Sequence, residues 1–199
     1  MSIQERRRRE RAEREKLIIT AARELAEAEG WDAVTTRRLA ERIEYSQPVL
    51  YSHFKGKDAI MAAVAVEGCA ELAVELRAAR TAAPDAAGGL AGVCAAYGAF
   101  AGRHPALYDA IFSRNVDLPF ATPEAPPALQ AAFGELVEAV RPHAGGDDLP
   151  LLTETFWAAL HGLVTLTRDG RLPREHHERR LALLVGRFTR AEGAAARAG

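Results

Sequence analysis

Residues 35–58 constrain the fold more than any other part of the chain, because they encode two short helices with almost no connection between them. Thr35 can cap the first of these helices and Ser46 can cap the second. Only Glu44-Tyr45 remain for the turn, and Pro48 is tolerated in the first turn of a helix. Two short helices joined by so tight a turn predict a helix-turn-helix.

The rest of the chain also has the pattern of helices. It is rich in Ala, Leu, Glu and Arg, and it lacks the alternating β-branched residues and hairpin signals that strands require. We predict an all-α fold of about nine helices. The first runs from about Arg8 to Glu29, and a long helix from about Asp58 to Arg80 follows the helix-turn-helix, before further helices at 90–102, 105–113, 126–141, 149–168 and 174–192.

Charge is distributed unevenly along this nearly neutral chain. Residues 1–57 hold thirteen Lys and Arg against ten Asp and Glu, whereas residues 58–199 hold thirteen against seventeen. A basic front and an acidic rear indicate that only the front meets a polyanion. The arginine-rich start differs from a secretion signal, and no run reaches 18 apolar residues, so we expect a cytoplasmic protein without a membrane partner.

Several side chains of the helix-turn-helix have the chemistry to bind DNA. Gln47 can pair through two hydrogen bonds with an adenine edge in the major groove, and Tyr51 and His53 can reach phosphates or base edges. Thr36-Arg37 open the preceding helix, where a hydroxyl, a guanidinium and free N–H groups suit a phosphate. Lys57 opens the next helix and can bind the DNA phosphate backbone on the far side of the helix-turn-helix.

This segment closely resembles the DNA-binding domain of the TetR family of transcriptional regulators. The resemblance rests on the Thr-Thr-Arg run at Thr35 and on the Leu-Tyr-x-His-Phe-x-x-Lys core at Leu50–Lys57, and it covers about residues 12–66. In the family a glycine opens the turn, so Glu44 predicts a non-glycine residue at positive φ. The resemblance implies double-stranded operator DNA as a partner, with contacts from Thr36, Arg37, Ser46, Gln47, Pro48, Val49, Tyr51, His53 and Lys57.

The rear of the chain resembles a TetR subgroup whose C-terminal domain carries a Trp…His-Gly signature, here Trp157, His161 and Gly162. In this family the last two long helices form a homodimer, and two copies related by a two-fold axis read a palindrome. The residues that we expect at the dimer interface are Trp157, Leu160, His161, Val164, Leu181, Leu184, Val185 and Phe188.

The resemblance also implies a pocket for a small-molecule effector among the helices of the rear domain. The candidate lining is mostly aromatic and apolar, which favours an apolar or amphipathic effector. These residues are equally suited to an ordinary core. They are Tyr97, Phe100, His104, Tyr108, Ile111, Phe112, Phe133 and Phe156.

The predicted domains are a basic N-terminal arm at 1–10, a helix-turn-helix domain at 11–58, an effector-binding and dimerisation domain at 59–193 and a frayed tail at 194–199. Two interpretations of Arg6–Arg9 stay open. Family members often carry a basic arm that reaches DNA, and such an arm can enter the minor groove. Alternatively, the arginines form a solvated helix start with i,i+4 Glu–Arg pairs.

The predicted function is that of a DNA-binding regulator that responds to a small molecule, and two other classes of function are alternatives to it. An enzyme is not expected, since the sequence has no Gly-rich phosphate loop, no G-x-S-x-G and no H-E-x-x-H. No cofactor is predicted either, nor a metal site, because the cysteines and histidines lack zinc-binding spacing. An effector-independent helix-turn-helix protein is the stronger competitor, although a rear domain of this size exceeds what dimerisation needs.

Overall fold

The computed structural model describes residues 2–112, 118–119, 122 and 124–189, and these residues contain helices but no strand. The predicted tail at 194–199 lies outside them. Short 3₁₀ turns occupy Trp31–Ala33, Arg141–His143 and Arg174–His176. The α-helices are α1 (Ile3–Glu29), α2 (Thr36–Arg42), α3 (Gln47–His53), α4 (Lys57–Thr81), α5 (Ala86–Arg103), α6 (Pro105–Phe112), α7 (Pro127–Val140), α8 (Leu149–Arg168) and α9 (His177–Thr189).

The chain forms two compact units. The first contains residues 1–69 and 104–126, and the second contains residues 70–103 and 127–199. The division falls inside α4, which contributes its first half to one unit and its second half to the other. Helix α6 belongs to the first unit, together with the helix-turn-helix, although it follows α5 in sequence.

Helix α1 begins earlier than the sequence pattern predicted. Ser2 and Glu5 form a capping box in which the Ser2 hydroxyl accepts from the Glu5 amide and the Glu5 carboxylate accepts from the Ser2 amide. The four arginines at 6–9 are therefore helical. In the second half of α1, Ile18 and Ile19 are buried, whereas Leu17 is 43% exposed.

Helix α6 is fastened to the C-terminal end of α1 and the residues just after it. The Glu27 carboxylate accepts from the amides of Ala106 and Leu107, at 3.1 and 3.0 Å, and so satisfies two unpaired donors at the start of α6. Buried Trp31 donates from its indole nitrogen to the Ala106 carbonyl oxygen at 2.7 Å. Gly68 of α4 lies so close to Leu107 that an added Cβ would be 2.5 Å from its Cδ1.

The second unit has an apolar core between α5, α7, α8 and α9, with Phe100 and Phe156 fully buried. The buried carboxylate of Glu135 on α7 joins Arg77 and Arg80 of α4, each at 2.7 Å. Gly88-Gly89 were predicted to lie in a loop, but they belong to α5 because Asp85 accepts from the Gly88 amide and starts the helix there.

Helix α8 is the one helix in the described residues that is long and apolar enough to cross a membrane by length and composition alone. Its Asp148 cap accepts from the Leu151 amide, and its inner face buries Phe156, Leu160 and Val164 within the second unit. Only 22% of its most apolar stretch is buried within the chain. A large part of the apolar surface of α8 is therefore available for another contact.

Candidate functional site

The helix-turn-helix forms as its caps predicted. The Thr35 hydroxyl accepts from the Arg38 amide at 3.2 Å, which starts α2. Leu39 and Leu50 are buried between α1, α2 and α3 and fix the crossing of the two short helices. Glu44 in the turn has φ 57°, which confirms the positive φ expected at this non-glycine position.

The start of α3 differs from the prediction in one respect. Ser46 is the N-cap residue with extended backbone, but its side chain makes no capping hydrogen bond among the described residues. Its carbonyl oxygen instead accepts from the amides of Val49 and Leu50, at 3.0 and 3.3 Å. The exposed Ser46 hydroxyl is thus not used to cap the helix.

One exposed surface joins the first turn of α2 to the outer face of α3. Gln47, Pro48 and Val49 are exposed at the start of α3, and Tyr51 follows with 54% of its surface exposed. The Tyr51 hydroxyl lies 3.4 Å from the Thr36 hydroxyl, so the two helices share a polar edge.

Beside this edge, the exposed Arg37 guanidinium is 2.9 Å from Glu41. Hydrogen bonding to that carboxylate raises the pKa of Arg37 further above its usual range. This surface combines a carboxamide, two hydroxyls and a cation, which are the groups that bind base edges and phosphates.

His53 and Lys57 are engaged inside the protein. The His53 side chain is only 5% exposed, and its Nδ1 lies 3.3 Å from the Glu15 carboxylate, which also pairs with Arg11. The Lys57 ammonium donates to the Trp31 carbonyl oxygen. Both residues tie the helix-turn-helix to neighbouring parts of the first unit, and their contacts with DNA stay predictions.

Replacing Tyr51 and His53 with alanine, one at a time, should distinguish the exposed side chain of Tyr51 from the buried side chain of His53. Tyr51→Ala removes an exposed side chain, so we expect weaker DNA binding and a stability change within about 0.5 kcal/mol. His53→Ala removes a buried ring that binds a carboxylate, so we expect about 1–3 kcal/mol lower stability in addition. Thermal unfolding and binding to the same duplex measure the two effects, and equal melting temperatures would contradict the assigned burial.

The predicted effector residues divide between the two units. His104, Tyr108, Ile111 and Phe112 belong to the first unit, where Tyr108 and Phe112 pack with ring centroids 4.9 Å apart. Phe100 and Phe156 are buried in the second unit. The remaining two, Tyr97 and Phe133, also lie in the second unit and belong to the cluster described next.

Tyr97 is the centre of a polar cluster within that core. The Trp157 indole donates to the Tyr97 hydroxyl at 3.1 Å, and the same hydroxyl is 3.1 Å from His161 Nδ1. Phe133 packs edge-on against Trp157. Trp157 and His161, which we expect at the dimer interface, contact Tyr97 of α5 through their side chains, and their place at an interface stays a prediction. Burial, and then the nearby Arg168 charge, lower the pKa of His161 and favour its neutral form.

Four of the predicted dimer residues pack within the chain itself. Leu160, Val164, Leu181 and Val185 are buried there, and their place at an interface with a partner stays a prediction. Phe188 packs on Phe156 with ring centroids 5.1 Å apart. Of the predicted set, Leu184 lines an open groove between α8 and α9.

That groove lies between the two helices that the sequence interpretation assigned to the dimer, but most of its lining residues were not among those predicted. Its signal was present as small residues four apart on α8, Ala158 and Gly162, followed by Leu166. Leu183 on α9 is 53% exposed beside them. We call the full lining the α8–α9 groove, and it consists of Ala158, Ala159, Gly162, Leu163, Leu166, Arg180, Leu183, Leu184 and Arg187.

No group of three metal-binding side chains occurs in the part of the chain that the structure describes. His177 at the start of α9 is partly buried, with Nδ1 3.2 Å from the Thr167 hydroxyl and with Nε2 3.3 Å from where a Cβ on Gly98 would lie. Burial lowers its pKa.

Two family models match the chain. The model of bacterial regulatory proteins of the tetR family matches residues 18–64, which include α2 and α3. The model of the tetracyclin repressor-like C-terminal domain matches residues 90–188. The two matches together cover both the helix-turn-helix and most of α5–α9.

Among curated relatives, an uncharacterised HTH-type transcriptional regulator of Mycobacterium tuberculosis is 30% identical over 156 residues, which are 77% of this chain and 69% of that protein. The class D tetracycline repressor protein of Escherichia coli is 48% identical over 50 residues. Those 50 residues are 25% of this chain, and the match spans only 23% of that repressor's length.

Solved structures share the fold along nearly the whole chain. A protein of unknown function from Rhodococcus sp. RHA1 superposes with a TM-score of 0.74 at 24% identity, covering 88% of this chain and 93% of that one. The transcriptional regulator FadR from Bacillus subtilis, solved in complex with stearoyl-CoA, superposes with a TM-score of 0.63 at 16% identity, covering 85% and 97%.

Proposed function

The chain belongs to the TetR family of DNA-binding transcriptional regulators, and we propose that it is a repressor that binds a palindromic operator as a homodimer and is released by a small-molecule effector. The observation that carries the proposal is the exposed polar surface of α2 and α3, on which Gln47, Tyr51 and Thr36 lie together. It stands on a helix-turn-helix in which Thr35 caps α2 and Leu39 and Leu50 form a buried core.

On this surface each helix has its own role. Gln47 opens α3, and the first residues of a recognition helix are those that reach base edges in the major groove. Thr36 and Arg37 open α2 and bind phosphate, which sets the position of α3 without reading sequence. The proposed contact with DNA is completed by Ser46, Pro48, Val49 and Tyr51. It is supported from within the protein by His53 and Lys57.

The homodimer is supported by the α8–α9 groove. Its lining is apolar apart from Arg180 and Arg187 at its edge, and Leu166 and Leu183 expose large apolar side chains there. Exposed apolar patches of this kind mark protein–protein contacts. A single helix-turn-helix also buries too little surface for specific binding, whereas two copies related by a two-fold axis read a palindrome.

An apolar or amphipathic effector is supported by the residues of the second unit. Phe100, Phe133 and Phe156 are apolar, and the Tyr97 cluster offers a few hydrogen-bonding groups among them. A mostly apolar lining with few polar groups is typical of small-molecule sites. FadR of Bacillus subtilis, which shares the fold, was solved with the amphipathic ligand stearoyl-CoA.

The covalent connections between the two units support a mechanism by which effector binding lowers DNA affinity, which we call the switch. The chain passes between the units within α4, after Arg103 and after Pro126. Glu27 and Trp31 hold the start of α6, so a shift of α6 moves α1 directly. An effector that binds the shifted state more favourably by a few kcal/mol changes the distance between the two recognition helices of the dimer. The helices then no longer match half-sites about 34–36 Å apart, and the protein releases DNA.

Selection of bound sequences from a random duplex pool at a fixed salt concentration tests the proposed function. We expect a two-fold symmetric consensus, with half-sites about one helical turn apart. Such a consensus also locates the binding sites of the protein, and the genes beside those sites narrow the class of effector. Binding that depends on salt but enriches no sequence would favour an effector-independent architectural protein and overturn the base contacts proposed here.

Selection with the Gln47→Ala variant then tests the assigned base contact. We expect preference to relax at one base-pair position in each half-site, by about 1–3 kcal/mol, because alanine cannot form the two hydrogen bonds to adenine. Arg37→Ala serves as the comparison, since removal of a phosphate-binding group weakens binding evenly on all sequences. Even weakening by Gln47→Ala would contradict the base contact and place Gln47 on the phosphate backbone.

A further inference from the structure

The first fourteen residues of the described chain form a rigid basic extension of α1 rather than a flexible arm. The Ser2–Glu5 capping box starts the helix, and i,i+4 pairs join Arg6 to Glu10 and Arg9 to Glu13 along its outer side. The family model of the DNA-binding domain begins only at residue 18. The extension therefore lies N-terminal to the residues that the family model matches.

One face of this extension is continuous with the buried face of α1. Arg7, Arg11 and Arg14 follow one another at helical spacing and lead to Ile18, which is fully buried. At 3.6 residues per turn, these four positions lie within about 60° of one another around the helix axis. The arginines therefore continue the face of α1 that packs on the rest of the unit.

Arg11, the middle arginine of this face, contacts α3. Arg11 donates to the Ser52 carbonyl oxygen at the C-terminal end of α3, and it pairs with Glu15, which holds His53. The extension is thereby fixed to the recognition helix at two points. It reaches about 12 Å beyond Arg11 to the first residue of α1, Ile3, given a rise of 1.5 Å per residue.

Arg7 and Arg14 flank this anchor and are exposed. Within residues 2–112, neither forms an ion pair, whereas Arg6, Arg9 and Arg11 each pair with a glutamate. Two unpaired guanidiniums, spaced about 10 Å apart along one rigid helix face, suit successive phosphates of a nucleic-acid backbone. A helix of about 10–12 Å diameter does not fit a minor groove about 6 Å wide, so this segment meets the backbone from outside.

We propose that the Arg7–Arg14 face of the α1 extension binds the DNA phosphate backbone beside the half-site read by α3. This surface adds affinity and no sequence preference, because its contacts are made by guanidiniums to phosphates. The inference rests on the proposed function, since it needs α3 to lie in the major groove of an operator.

The salt dependence of binding to the selected operator tests this surface. Each phosphate that the protein neutralises contributes about 0.9 to the slope of log Kobs against log salt, and the proposed homodimer carries two copies of each arginine, so R7A/R14A should flatten that slope by about 3.6 and R7A alone by about 1.8. R7K/R14K should retain the wild-type slope. R8A is the matched control, because Arg8 is equally exposed and unpaired but lies about 100° away around the helix.

The outcomes separate this inference from the proposed function. A wild-type slope for R7A/R14A, or equal flattening by R7A and R8A, would overturn the surface while operator binding by the wild type stands. A wild-type protein that binds no DNA would overturn both. Helicity and melting temperature of each variant confirm that it is folded, and alanine in place of an exposed arginine favours the helix.

Discussion

Replacing Leu183 with glutamate should produce a folded monomer whose operator affinity is about 10²–10⁴-fold lower than that of the wild type. The first effect is expected because Leu183 is 53% exposed in the α8–α9 groove, where a partner chain would bury the new carboxylate together with the Arg180 or Arg187 guanidinium that it can pair with, and burying an ion pair is often less favourable than burying an apolar side chain. The second follows because each half-site is then bound separately, without the gain in affinity that comes from linking two binding modules.

The control is Val74→Glu, which introduces the same charge at a similarly exposed apolar residue outside the groove. Sedimentation equilibrium measures the mass of each variant, circular dichroism its helicity, and a duplex titration its affinity. We expect Val74→Glu to stay dimeric and to bind the operator as the wild type does. A Leu183→Glu protein that remains dimeric would contradict the groove as the interface, and the α8–α9 assignment would have to be abandoned.

Elements with strong local signals could be predicted from the sequence. The bounds of α3 and α8 agree with the expected ones, because a cap residue or a proline opens each helix and a clear break follows it. The positive φ at Glu44 could also be predicted, since the family that this segment resembles has a glycine at that position of the turn. These features depend on residues within a few positions of one another, and sequence periodicity reports such contacts directly.

Elements that depend on distant contacts could not be predicted in the same way. His53 has the spacing of an exposed residue on α3, but it is turned inward by Glu15, which lies 38 residues earlier. The apolar stripe of α9 was assigned to a partner chain, whereas Leu181 and Val185 are buried by helices of their own unit. Apolar periodicity identifies a buried face, and it does not say whether the chain or a second copy covers that face.

The start of α6 shows how such a distant contact also determines stability. Trp31 follows α1 after the single residue Gly30. In the structure it is buried and donates to the Ala106 carbonyl oxygen, 75 residues further along the chain. Helix α6 is thus held by two separate contacts, the Trp31 indole and the Glu27 carboxylate.

Trp31→Ala should therefore lower the free energy of unfolding of the first unit by about 3–5 kcal/mol, through the cavity and the missing hydrogen bond together. Trp31→Phe keeps most of the ring and should show a smaller decrease. Hydrogen exchange locates the effect: amides of α6 and α1 should lose protection in Trp31→Ala, whereas Phe100→Ala, an equally buried aromatic of the second unit, should expose α5 and α8 first. Equal protection of α6 in the wild type and in Trp31→Ala would show that the Glu27 carboxylate alone holds this helix, and would remove Trp31 from the proposed switch.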